Sequence, residues 1–175
     1  LWVSSMTGGT DLARKINTNL AKACGHFGFG MGLGSCRILL EDDSRFADFD
    51  LRDLIGDEHA FYANLGIAQI ERSVGDNALQ PIHDMVHRLR ADGLIVHINP
   101  LQEWIQPEGD RLQRSPLETI TRFLDKADYP VIVKEVGQGM GPESLRALLK
   151  LPLEGVEFAA FGGTNFASVE LQRRE

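Results

Sequence analysis

Gly93-Leu94-Ile95-Val96-His97-Ile98-Asn99-Pro100-Leu101-Gln102-Glu103-Trp104-Ile105-Gln106-Pro107-Glu108-Gly109-Asp110-Arg111 is the stretch whose reading decides the fold. Its first four residues are a short apolar run and read as a buried strand. Side chains of a strand alternate between its faces, so His97 and Asn99 point the same way. Pro100 then takes the chain off the strand, and Gln102 and Glu103 follow. Groups that donate, accept, ligate metal and carry charge are thus massed just past the carboxyl end of a buried strand. That is where a parallel α/β protein puts its chemistry.

Working outward, the same alternation of strand, polar loop and amphipathic helix recurs. Leu1 to Ser5 reads as a strand, and Asp11 to Phe27 as a helix with Leu12, Ile16, Leu20 and Ala23 on its apolar face and Thr10 or Asp11 as N-cap. Gly28 to Leu33 is a glycine-dense second strand, Ser44 to Leu54 an acidic helical segment, and Phe61 to Leu65 a third strand. Pro81 to Arg90 carries Ile82, Met85, Val86 and Leu89 on one helical face. Beyond the central stretch come a helix from Pro116 to Lys126 capped by Ser115, a strand from Pro130 to Val136, a helix from Pro142 to Leu149 and a strand from Gly155 to Ala159. Alternating βα units in one run predict a parallel sheet with helical crossovers. An open doubly wound sheet needs a reversal of strand order, and no long connection suggests one. The pattern therefore predicts a single α/β domain over 1–175, an incomplete (β/α)8 TIM barrel with about six of the eight units.

Bulk properties exclude several classes. The chain has 175 residues, 43% of them hydrophobic and 25% charged, enough for a real core. A net charge of −7 argues against a nucleic-acid partner. No apolar run approaches the ~20 residues of a membrane helix, and no signal peptide opens the chain. Cys24 and Cys36, spaced for neither zinc nor redox chemistry, read as reduced thiols of a cytoplasmic protein. The start inside a strand without Met, and a final helix from Glu170 that simply stops, read as a fragment.

Each strand end deposits polar groups, and each has an ordinary reading beside a chemical one. The Met6-Thr7-Gly8-Gly9 turn is either a tight connection or a loop whose backbone N–H groups approach a ring or an anion. Ser35 with Arg37 suits an anion, since arginine offers phosphate a rigid fork, unless Arg37 pairs with Glu41 or Asp42. Asn64 either caps a turn or bonds a cofactor's amide edge. Lys134 stands at the end of Val131-Ile132-Val133, where an unpaired ammonium is costly to bury. It is either salt-bridged to Glu135 or Glu157, or a cation held against a developing anion, worth ~4 kcal/mol at 4 Å for an effective dielectric near 20. A lone His97 would be a satisfied core histidine, but Asn99, Gln102, Glu103, Glu108, Asp110 and Arg111 accompany it, and one carboxylate beside substrate phosphates is how Mg2+ is usually held. His26, His59, His83 and His87 read as helix or surface residues. The alternating glycines from Gly30 to Gly34 do not form a dinucleotide fingerprint.

Taken together, Ser5-Met6-Thr7-Gly8-Gly9, Met31-Gly32-Leu33-Gly34-Ser35-Cys36-Arg37, Ala63-Asn64-Leu65-Gly66, His97-Ile98-Asn99-Pro100-Leu101-Gln102-Glu103, Gln106-Pro107-Glu108-Gly109-Asp110-Arg111, Ile132-Val133-Lys134-Glu135-Val136-Gly137 and Gly162-Gly163-Thr164-Asn165 resemble the type 2 isopentenyl diphosphate isomerases. Those are FMN-dependent (β/α)8 barrels, and the motifs follow in the family's order. The resemblance implies that Ser5, Met6, Thr7, Ser35, Asn64, Lys134 and Thr164 contact FMN. It implies that Ser35, Arg37, His97, Asn99 and Gln102 hold isopentenyl diphosphate, and that Glu103 binds Mg2+. Gln102 and Glu170 would lie near the reacting carbons, with Lys134 favouring an anionic reduced flavin. It further implies NADPH as reductant, a homo-oligomer and a cytoplasmic location. Phe161 stands where many members have a further glycine-containing turn, and the family's amino-terminal Arg-Lys phosphate clamp and last two strands are not in this sequence. A flavin oxidoreductase of the hydroxy-acid oxidase or dihydroorotate dehydrogenase kind, and a non-catalytic fragment, are the alternative readings.

Overall fold

The computed structural model describes residues 1–5, 7–159 and 164–173. The strands are β1 (Trp2–Val3), β2 (Gly30–Gly32), β3 (Phe61–Gly66), β4 (Gly93–Ile98), β5 (Val131–Glu135) and β6 (Gly155–Glu157). The helices are α1 (Asp11–Phe27), α2 (Arg52–Ile55), α3 (Ile67–Gly75), α4 (Gln80–Arg88), α5 (Pro100–Ile105), α6 (Pro116–Leu124), α7 (Pro142–Leu148) and α8 (Phe166–Gln172), with two 3-10 helices, Arg37–Leu40 and Asp43–Asp48.

The strands lie in the order β1-β2-β3-β4-β5-β6, and the β1–β2, β2–β3 and β5–β6 pairs are parallel. This corrects the expected (β/α)8 TIM barrel. Closing such a barrel takes eight units with every edge paired. Among the described residues the sheet has six strands, and β1 and β6 are its unpaired edges. The α/β class stands, while the barrel does not. No helix among the described residues is long and apolar enough to cross a membrane.

Residue contacts divide the chain into two compact units, one comprising Leu1–Leu65 and Ala78–Ile95, the other Gly66–Asn77 and Val96–Glu175. In the first unit, Thr10 caps α1 by accepting from the Ala13 N–H at 3.1 Å, and Gly28 ends it at φ 73°. The buried face of α1 is Ala13, Asn17, Ala21 and Cys24, which corrects the apolar face expected from the sequence. Leu12 is 68% exposed. Small residues win because α1 packs close. A Cβ on Gly25 would lie 2.6 Å from the Leu54 carbonyl oxygen. The expected helix from Ser44 to Leu54 is instead a 3-10 turn, capped by Asp42 accepting from the Ser44 N–H at 2.8 Å, followed by α2.

Arg52, 3% exposed, is the polar anchor of this unit. Its guanidinium donates to the carbonyls of Arg90 (2.9 Å), Gly56 (3.1 Å) and His59 (3.0 Å) and pairs with Asp92 at 3.0 Å. Asp92 also accepts from the Phe61 N–H at 2.7 Å, which fixes the start of β3. Cys24 and Cys36 are free and buried, and burial pushes the Cys36 thiol up to about 12.

In the second unit, α3 was not expected from the sequence. It follows β3 directly and packs on α6. Its Glu71, 8% exposed, accepts the N–H groups of Gln113 (2.9 Å) and Arg114 (2.7 Å), and so fastens the segment leading to α6. Ser115 caps α6 by accepting from Glu118 at 3.2 Å. The register places Lys134 of β5 opposite Glu157 of β6.

Candidate active site

In the second unit, β4 passes at Asn99 into α5, which has Pro100 at its first turn. The sequence stretch read as a polar loop is therefore a six-residue helix, and its rotation sets the site. Asn99, 4% exposed, donates its amide to Glu103 Oε1 at 2.8 Å and to Gln102 Oε1 at 3.3 Å. The other Glu103 oxygen accepts the Asp110 N–H at 2.7 Å. Glu103 is 7% exposed, so a carboxylate is held nearly out of water by one amide and one backbone donor. The Oδ1 of Asn99 is buried and has no partner among the described residues. A buried acceptor left bare costs stability, and such atoms point to a missing donor or cation.

Gly109 lets the loop approach α5. A Cβ there would fall on the Glu103 carbonyl. Gly66 does the same beside His97, since a Cβ would come 2.9 Å from Nε2. Burial of the His97 imidazole and the positive charge of Lys134 push its pKa down to about 4, so the ring is neutral near pH 7. Lys134 donates to Glu157 Oε1 and to the Glu135 carbonyl, both at 3.0 Å. The salt bridge weighed against a catalytic cation is thus present, with Glu157 as partner. An ammonium has three N–H groups, and these contacts use two of them.

Glu135 itself is spoken for. Its Oε2 accepts the N–H groups of Gly137 (2.6 Å), Gln138 (2.7 Å) and Gly139 (2.9 Å). Helix α8 packs on α5 and presents Glu170, 6% exposed. Gln106 donates to Glu170 Oε1 at 2.7 Å and Arg173 to Oε2 at 2.6 Å. Arg173 also reaches Glu108 at 3.1 Å. The sequence reading assigns no role to Gln106 or Arg173, and places Glu108 only in the polar cluster that accompanies His97. The spacing of Glu170 and Arg173, one helical turn apart, is the signal that could have joined them.

In the first unit, Asn64, 1% exposed, donates to Ser5 Oγ at 2.8 Å. It caps no helix, since α3 has Gly66 at its N-cap and no side-chain cap. Asn17 ties α1 to the Thr7 carbonyl at 3.0 Å, and a Cβ on Gly34 would strike the Thr7 backbone, so Thr7 and the turn after β2 lie against each other. Ser35 and Arg37 are exposed, and the Arg37 N–H lies 3.4 Å from Ser35 Oγ. Arg37 pairs with neither Glu41 nor Asp42; among the described residues its guanidinium has no ion pair. Thr164 is exposed in the second unit. Met6, Phe161, Gly162 and Gly163 lie outside the described residues.

Among the described residues no three His, Cys, Asp or Glu side chains gather as a metal cluster. No family model matches the chain. Over 173 residues, 99% of its length, it is 42% identical to the isopentenyl-diphosphate delta-isomerase of Synechococcus sp.. The chain is similar to isopentenyl-diphosphate delta-isomerases. Identity is 39% to that of Rickettsia akari over 98% of this chain, and 39% to that of Picrophilus torridus over 99%. The match takes in 49% of each of these isomerases, so the chain spans about half the length of the curated relatives it matches.

Proposed function

We propose that this chain belongs to a type 2, FMN-dependent enzyme that converts isopentenyl diphosphate into dimethylallyl diphosphate with Mg2+ on the diphosphate. The observation that carries the reading is the buried Asn99–Glu103 pair with its bare Oδ1, on the segment that also bears His97 and Gln102. The names of the relatives support the reaction class.

The residues fit a magnesium ion. Glu103 is a lone buried carboxylate, Asn99 Oδ1 is a hard oxygen without a donor, and Mg2+ is usually held by one or two carboxylates with substrate phosphates completing the shell. Glu103 would hold the ion, and Asn99 would orient the carboxylate that does so. His97, neutral near pH 7, would offer the diphosphate an N–H donor without adding charge. Arg37, with no ion pair among the described residues, and Ser35 would bind its oxygens. Gln102 would orient the chain of the substrate.

The donor set also fits a flavin. In the first unit Asn64 bonds Ser5, and these two with Thr7 and Ser35 would offer a flavin hydroxyl and amide groups. The resemblance adds Lys134, Thr164 and Met6 as further FMN contacts. FMN, when bound in reduced form, supplies acid and base chemistry for moving a double bond with no net redox change. The remaining Lys134 N–H would stabilise negative charge, and Glu170 would hold or take a proton near the reacting carbons. NADPH as the source of reducing equivalents, a homo-oligomeric assembly and a cytoplasmic site of action complete the proposal.

The test is turnover by the natural protein with isopentenyl diphosphate, FMN, a flavin reductant and Mg2+, each omitted in turn. Dimethylallyl diphosphate formed only with all four supports the reading. Full turnover without flavin, or by Gln102→Ala or Glu103→Ala, overturns the flavin part or the site assignment respectively.

A further inference from the structure

We propose that Gln106 is a positioning residue for Glu170, acting with Arg173 to hold that carboxylate in one orientation. The inference rests on the isomerase reading and adds residues to which the resemblance gives no role.

Glu170 is 6% exposed, and a carboxylate that far from water is tolerated when its oxygens are hydrogen-bonded. Its two donors are unlike each other. Gln106 gives a neutral amide N–H to Oε1, and Arg173, itself exposed, gives a charged N–H to Oε2. A carboxylate has about four acceptor directions, so room remains for a proton or a substrate. The amide of Gln106 has no titratable proton. It therefore fixes the carboxylate without competing for the proton that Glu170 handles.

Gln106 is itself set by α5. It is the C-cap of that helix, with its N–H on the Gln102 carbonyl at 3.0 Å. The helix end that carries Gln102 and Glu103 thus also aims Glu170, and α5 and α8 are joined through it. Arg173 closes the ring by reaching Glu108 at 3.1 Å, two residues past Gln106. Hydrogen bonding to its own backbone and to Arg173 holds the Glu108 carboxyl below the usual range. A simple tie between helices would need neither a buried charge nor a donor on each of its oxygens.

The experiment measures kcat, KM for isopentenyl diphosphate and melting temperature of the natural protein, with reduced FMN and Mg2+, for wild type, Gln106→Ala, Gln106→Met, Glu170→Gln and the doubles. Gln106→Met keeps the volume without the donor, and Glu170→Gln keeps an acceptor for Gln106. Glu170→Gln should lower kcat by about 100-fold or more, and either Gln106 variant by about 10-fold with KM within about twofold. In the Glu170→Gln background the Gln106 substitutions should cause no further fall. Wild-type kcat in both Gln106 variants, or losses that multiply in the doubles, overturns the assignment. A wild type that does not turn over isopentenyl diphosphate overturns the isomerase reading, and this assignment with it.

Discussion

Lys134 stands directly opposite Glu157 in the β5–β6 register, with Nζ 3.0 Å from Oε1. The lysine side chain is 10% exposed and its partner 25%. Removing one partner of such a pair leaves a charge stranded, whereas removing both is often close to neutral. Glu157→Gln should therefore destabilise the fold by about 2–3 kcal/mol, and Lys134→Met with Glu157→Gln should regain most of that. Urea unfolding of the single and double variants measures it. Equal losses in both would show that the cost does not come from a stranded lysine charge.

Gly109 sits against the Glu103 carbonyl, and the next residue donates its N–H to the Glu103 carboxylate. Any side chain at 109 must push the loop away, taking the Asp110 N–H with it. Gly109→Ala is expected to raise the Mg2+ concentration needed for half-maximal turnover by about 10-fold or more, as loss of an outer-shell partner typically does. A metal titration of activity at saturating isopentenyl diphosphate reads this directly. An unchanged midpoint would detach the loop from the ion site.

His97 has a pKa of about 4 in the fold against an ordinary value near 6.5. Between those values the unfolded chain takes up a proton that the folded chain refuses. Stability is therefore fully present above pH ~6.5 and falls as the pH drops toward 4, by on the order of 2–3 kcal/mol. His97→Gln should flatten that part of the acid limb, which denaturant melts at pH ~7, ~6, ~5 and ~4.5 would reveal. Parallel acid limbs in both proteins would contradict the assignment.

Arg52 gives three backbone carbonyls and Asp92 their partner. Arg52→Leu removes all four contacts at a site only 3% exposed. A loss of about 3 kcal/mol is expected, less than for a fully buried pair because Asp92 is half-exposed and can turn to water. A chemical-denaturation midpoint within error of wild type would refute it.

How much of this was legible in the residues follows from how locally each feature is encoded. Strand β4 and its polar sequel could be read because a run of apolar residues and a following cluster of charge are neighbours in sequence. The caps at Thr10 and Ser115 were legible for the same reason. The closure of the sheet was not. Alternating βα units show that strands run parallel, but they do not encode whether an edge is closed, and the sheet ends at β1 and β6. The inward face of α1 was misread because hydropathy favours Leu12 and Ile16, while close approach to α2 selects Ala13, Asn17 and Ala21. Helix α5 was hidden by its own polarity, since Gln102 and Glu103 look like loop residues until Pro100 is seen as a helix start. Between Lys134's two acidic neighbours, only the strand register could choose Glu157.

The loop after β5 gathers three successive N–H groups at Gly137, Gln138 and Gly139, the arrangement by which proteins commonly grip phosphate. Here Glu135 of the same strand fills that grip. Any phosphorylated metabolite that drifts there meets a competitor already tethered to the chain. One phosphate-type berth is thus closed from within, by a carboxylate of the strand that leads into it.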